Sequence, residues 1–211
     1  MTAESTTPPR TPQPDTRDHD AATGLARFAY ELGVLKRTRR AGWWHAGVRD
    51  PESVAEHSAR TAQLAALIAA EEGADPVRAA FLALWHDSQE SRTGDVPRAA
   101  KSYLDRAPNL AITADQVAAL PPAAANTVRE AVEEYESQQT VEARCAKDAD
   151  KLECLIQALE YQSSGYRDVT PWIETSRATL RTATARRIAD AAVGLRPLSW
   201  RDHFLGDVDP S

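Results

Sequence analysis

The sequence predicts an all-α protein, a single helical globule of six or more helices. Apolar residues recur at three- and four-residue spacing through long segments. Glycine is scarce, with 9 residues in 211. Runs rich in Val, Ile or aromatic residues, of the kind that pack in sheets, are few. A chain of this length can bury a substantial core in one domain.

Taken in order, residues 1–20 carry Pro8, Pro9, Pro12 and Pro14 among Thr, Ser, Asp and Arg, the composition of a disordered tail. From residue 21 to about 36, Leu25, Phe28, Ala29, Leu32 and Leu35 keep helical spacing. A basic and aromatic loop follows, Arg37-Thr38-Arg39-Arg40-Ala41-Gly42-Trp43-Trp44-His45. Asp50 and Pro51 read as the N-cap and first turn of a helix to about residue 72, with Val54, His57, Thr61, Leu64, Ala65 and Ile68 on its core face. Gly73 stops it, and Asp75-Pro76 opens the next, which carries Ala79, Ala80, Leu82, Ala83 and His86. Residues 97–122 are the least regular, a place for short helices and a surface loop. Helices are expected at 123–137 and 140–163, then one long helix from about 170 to 193. Trp200 and Phe204 are expected to pack the C-terminal tail back on the surface. The domain limits on this reading are 21–205, with 206–211 as a second tail.

The formal net charge of -6 and the lack of a basic block argue against nucleic acid as a partner. No apolar run approaches the ~20 residues that span a bilayer, and residues 1–20 lack the apolar segment of a secretory signal. Cys145 and Cys154 on one predicted helix lie roughly 13 Å apart along its axis, facing opposite ways, and cannot bridge. A cytoplasmic protein with no membrane partner is the expectation.

The chemistry gathers at Trp85-His86-Asp87-Ser88-Gln89-Glu90, continuing to Gly94-Asp95, where an apolar helix gives way to a polar loop. A lone core histidine is usually just a satisfied core residue. With Asp87 beside it the reading changes, because a buried carboxylate is costly unless it is paired or bound to a metal. His57 is the other histidine on a core helix. A further carboxylate should come from a late helix, where Asp148 and Asp150 both qualify. Helical phase favours Asp148, on the stripe of Leu152, Leu155, Ile156 and Leu159, while Asp150 points nearly opposite. Periodicity leaves that choice open.

His57, then His86-Asp87, then a distant Asp is a pattern that resembles the HD-domain metal-dependent phosphohydrolases. Pro51-Glu52-Ser53-Val54-Ala55-Glu56-His57, His86-Asp87-Ser88-Gln89-Glu90 with Gly94-Asp95, Glu133-Glu134-Tyr135-Glu136, and the helix from Lys147 narrow it to the 5'-deoxynucleotidase branch. The resemblance covers roughly residues 25–161. It implies His57, His86, Asp87 and Asp150 around one divalent metal; two imidazoles and two carboxylates suit Mn, Fe, Co, Ni or Zn better than Ca. Family members with two metals recruit further histidines between the His-Asp pair and the last Asp, and none stands between His86 and His203 here.

The resemblance further implies Glu90 as general acid/base and Arg40 as phosphate ligand, with Trp43 as a second contact from the same loop. It implies Asp95 against the sugar hydroxyl, and Val96, Pro97 and Arg98 lining the site. The expected activity is hydrolysis of (deoxy)nucleoside 5'-monophosphates by a homodimer. The rivals are a phosphatase for a modified nucleotide or another small phosphate ester, and a catalytically silent nucleotide- or metal-binding module.

Overall fold

The computed structural model describes residues 16–205, so most of the expected 1–20 tail and all of the 206–211 tail lie outside the described residues. Helix α1, Thr16–Leu32, begins inside the segment expected to be tail. The expected stripe is met in part: Phe28 and Leu35 are buried and Leu32 partly so, whereas Leu25 is 44% exposed and Gly24 faces inward. A β-carbon on Gly24 would come within 2.2 Å of the Ala119 carbonyl oxygen, so glycine is what allows this approach. Phe28 then stacks on Trp85, ring centroids 6.1 Å apart.

Two 3-10 turns, Gly33–Lys36 and Ala41–Ala46, make up the basic and aromatic loop. An isolated antiparallel bridge between Arg39 and Ser53 pins that loop to the start of α2, Val54–Glu71. The N-cap of α2 is Ser53, not Asp50. Its hydroxyl accepts from the Glu56 amide at 3.1 Å and the Glu56 carboxylate accepts from the Ser53 amide at 2.6 Å, a reciprocal pair that Asp50 has no means of making. Helix α3, Pro76–Trp85, is capped as predicted by Asp75, which accepts from Val77 and Arg78. After it come α4 (Glu90–Thr93), α5 (Asn109–Gln116), α6 (Pro122–Ser137) and α7 (Val141–Ser163).

Helix α7 is the axis of the molecule. It packs on α2, α3, α6, α8 (Thr170–Thr179) and α9 (Ala183–Val193). Ile68, Leu82, Leu152, Leu155 and Leu180 fill the core between them. Among the described residues there is no strand, and none of the helices is long and apolar enough to cross a membrane. Cys145 and Cys154 are both free.

The single helix expected over 170–193 is two, broken at Leu180-Arg181-Thr182. The cause is Asp148, one of the two candidate aspartates. Its Oδ2 accepts from the Arg181 amide at 2.9 Å, the Thr182 amide at 2.6 Å and the Thr182 hydroxyl at 2.8 Å. Thr182 in turn caps α9. The C-terminal expectation also fails: Trp200 and Phe204 stay 63% and 71% exposed and meet each other rather than the core. An Arg196–Asp202 pair at 2.6 Å closes that segment, which ends in α10 (Asp202–Leu205), on itself.

Replacing Asp148 by Ala should therefore leave metal binding intact while lowering the unfolding free energy by about 2 kcal/mol. Chemical denaturation alongside metal analysis checks both halves.

Candidate metal centre and cavity

The loop bridge and the capping box together fix where α2 starts, and so put His57 in its first turn with its side chain wholly buried. His57 Nδ1 lies 2.5 Å from Glu153 Oε2, an acceptor, so Nδ1 carries the proton and Nε2 looks the other way. His86, at the end of α3, repeats the arrangement: Nδ1 is 2.6 Å from the Ala83 carbonyl oxygen. Both Nε2 atoms are buried and neither has a hydrogen-bond partner.

Two carboxylates face these orphaned nitrogens. Asp87 Oδ2 is 3.0 Å from His86 Nε2 and 3.8 Å from His57 Nε2. Asp150 Oδ1 is 3.4 Å from His57 Nε2 and 4.0 Å from His86 Nε2. Ligands each about 2.1 Å from one ion lie roughly 3.0 to 3.4 Å apart; His57, His86 and Asp87 bring ligand atoms within 4.8 Å of one another and could hold a metal ion, and Asp150 Oδ1 faces both imidazoles from the other side. Bare imidazole nitrogens in a buried site are the observation that makes them fit. The structure thus brings together all four residues expected at the metal, and separates Asp150 from Asp148, whose carboxylate is occupied at α9.

Charges around the quartet are answered one by one. Burial pushes Asp150 up, but Lys151, His57 and Lys147 overcome this and hold it well below the usual carboxylate range. Its other oxygen, Oδ2, takes Lys151 at 3.1 Å, Lys147 at 3.3 Å and the Tyr135 hydroxyl at 3.3 Å. Burial likewise opposes the ionisation of Asp87, and His86 and Arg40 reverse it, leaving Asp87 below its ordinary value. Burial and Arg40 press His57 down while Glu153 and Asp150 drive it up, to about 10. The field of the carboxylates thus demands a positive charge between them, which a proton or a metal ion can supply.

Glu153 is the functional residue that sequence reasoning missed. It is fully buried between His57 and Arg60, whose Nε and Nη2 donate to its Oε1 at 2.9 and 2.7 Å. Arg60 is held in turn by Glu160 and Gln157. Nothing local in the sequence marks Glu153, since its partners lie 96 and 93 residues away. Tyr135, Lys147 and Lys151 were also without assigned roles.

The quartet opens into a cavity of about 740 Å³ lined by the other expected residues, Arg40, Trp43, Glu90, Asp95, Val96, Pro97 and Arg98. Between α3 and α4 the chain makes tight turns, the Ser88 amide to the Trp85 carbonyl and the Glu90 amide to the Asp87 carbonyl, and these bring Glu90 to the cavity. One Glu90 oxygen is buried without a partner. Burial, then the negative Asp87 and Asp95, raise Glu90 to about 9, so it keeps its proton at neutral pH in the absence of a cation. Arg40 Nη1 reaches Asp87 at 3.4 Å and Asp95 at 3.9 Å. Asp95 follows Gly94, whose φ of 70° favours glycine, and accepts from the Gly42 amide at 3.4 Å. Trp43, expected as a second contact from its loop, lines the cavity largely covered by neighbours. It is only 2% exposed, stacked against Trp172 and abutted by Tyr161, with its N–H donated to Glu52 at 3.1 Å.

A helical fold with a histidine-aspartate cluster at its centre defines a class, and the comparisons agree with it. The chain belongs to the HD-domain family, whose model matches residues 32–191. It is 35% identical over 147 residues to the 5'-deoxynucleotidase HDDC2 of Bos taurus, covering 67% of this chain and 69% of that protein. It is 31% identical over 147 residues to the 5'-deoxynucleotidase hdd1 of Schizosaccharomyces pombe, covering 66% and 74%. Among solved structures, a conserved hypothetical protein from Pyrococcus furiosus superposes with a TM-score of 0.65 at 32% identity, covering 81% of this chain and 99% of that one.

Replacing Glu153 by Ala should weaken metal binding about 10- to 100-fold by freeing the His57 ring. Asp150→Ala should weaken it more. Titration of the metal-free variants with Mn or Co reads both; wild-type affinity in Asp150→Ala would remove that residue from the ligand set.

Proposed function

We propose that the protein is a metal-dependent phosphohydrolase that removes the 5'-phosphate from (deoxy)nucleoside 5'-monophosphates, giving nucleoside and inorganic phosphate. The observation that carries the reading is the pair of buried, unpartnered imidazole nitrogens facing Asp87 and Asp150 beside a buried carboxyl and an arginine. The activity named for the HDDC2 and hdd1 relatives supports the substrate class.

His57, His86, Asp87 and Asp150 would hold the cation, and their mixed nitrogen and oxygen donors favour Mn, Fe, Co, Ni or Zn. When bound, such an ion neutralises phosphate oxygens and makes a neighbouring water more acidic. Arg40 lies at the edge of the quartet and supplies planar donors for the phosphate. Asp95 is an acceptor for a sugar hydroxyl on the same side. Water attacks phosphorus, and the bond from phosphorus to the 5'-oxygen breaks. Glu90 gives its proton to the departing 5'-oxygen and regains one from the attacking water, leaving the carboxyl as it began. Its carboxyl is buried at the cavity with one oxygen unpartnered, a place from which it can exchange a proton with a bound ester.

Phosphate release should be measured from a panel of ribo- and deoxynucleoside monophosphates, with Mn, Co or Mg supplied after chelation. Release that depends on added metal is expected; none from any monophosphate with any metal overturns the reading. Glu90→Ala should keep its metal and lose about 10²- to 10⁴-fold in kcat. Full activity in that variant would take Glu90 out of the proton transfers.

A further inference from the structure

Resting on the reading above, we infer that Trp172 of α8 is the platform on which the base of the nucleotide stacks. It is thereby a specificity-determining residue for the reaction. The need for such a platform follows from the cavity. Its volume of about 740 Å³ exceeds what a phosphate and a sugar require, and one of its walls is α8, through Trp172, Thr175, Ser176 and Thr179. Neither tryptophan of the 37–45 loop can serve. Trp43 is 2% exposed and has no face left for a base, and Trp44, 55% exposed, is not part of the cavity wall.

Trp172 meets the requirements that Trp43 fails. It lines the cavity and is only partly buried. Trp43 stacks behind it, with centroids 5.5 Å apart and planes 29° from parallel, so the indole is held in a fixed orientation. A base laid against a pre-oriented ring loses little further conformational freedom. The indole nitrogen of Trp172 sits beside Gly42, 3.7 Å from where a β-carbon there would stand, and the Gly42 amide donates to Asp95. Arg40, Asp95 and Trp172 therefore follow one another around Gly42, matching phosphate, sugar and base along a nucleoside monophosphate. Stacking on an indole tolerates every base, so Trp172 would separate nucleotides from sugar phosphates more than one base from another.

The test compares KM and kcat for dAMP and for 2-deoxyribose 5-phosphate, which lacks the base, in wild type, Trp172→Phe and Trp172→Leu. In wild type the nucleotide should have the lower KM. Trp172→Leu should raise KM for dAMP about tenfold or more while kcat falls far less, so that discrimination against the baseless ester collapses. Trp172→Phe should recover much of it. If Trp172→Leu does not fold, the Kd of dAMP against 2-deoxyribose 5-phosphate in a Glu90→Gln background, with and without Trp172→Met, gives the same reading. A dAMP KM or Kd unmoved in a folded non-aromatic Trp172 variant overturns the inference and leaves the hydrolase reading standing. Failure of wild type to hydrolyse any nucleoside monophosphate overturns both.

Discussion

Burying four carboxyl groups around two imidazoles is the constraint that the rest of the site obeys. Asp87, Glu90, Asp150 and Glu153 lie on three segments that converge at the centre of a helical core. Two like charges about 4 Å apart cost roughly 4 kcal/mol at the effective dielectric of a protein interior, so each group needs its own answer. Glu153 has Arg60, Asp150 has Lys147, Lys151 and Tyr135, and Asp87 has Arg40. Glu90 has none and keeps its proton instead. What stays unanswered is the space between the two Nε2 atoms, where the surrounding charges converge.

That arrangement depends on α7 being covered on all sides. A surface helix offers one buried face and therefore one kind of buried polar residue. Helix α7 sends Asp148 towards α9, Asp150 towards the two buried histidines and Glu153 towards α2, all within about two turns. Each is buried by a different neighbour, and each does different work. The same centrality makes α7 the element from which α8 and α9 hang, so the cavity wall and the metal-facing carboxylate share one support.

Most of the helices and the start of α3 at Asp75-Pro76 were legible in the sequence because each leaves a local or periodic trace, and the gathering of His57, His86 and Asp87 was legible through the family resemblance. Phase alone misled at α7. It treats a helix as having one inner face, so it favoured Asp148, which is indeed buried but is spent on the α9 cap. The resemblance to a family chose Asp150, where spacing could not. Glu153 left no trace because a glutamate in a helix looks solvated until Arg60, on another helix, is seen beside it. The break at Leu180-Arg181-Thr182 contains neither glycine nor proline; a tertiary hydrogen bond makes it, and no local pattern records that. Gly24 shows the reverse case, a residue whose lack of a side chain lets α1 approach the Ala119 carbonyl closely, which no apolar spacing announces.

The interruption at Leu180-Arg181-Thr182 also changes what kind of element α8 is. Gly165, at a φ of 99°, follows the end of α7, and Asp148 fixes the chain just after α8. Apart from Trp172, which packs on Trp43, the cavity-facing side chains of α8 take no part in those contacts. The helix behaves as an exchangeable panel. Substitution along it can reshape what the cavity admits while the histidines and carboxylates on α2, α3 and α7 keep their positions. Diversification of ligand preference among proteins built this way has an inexpensive route, separated in sequence from the residues that the chemistry constrains.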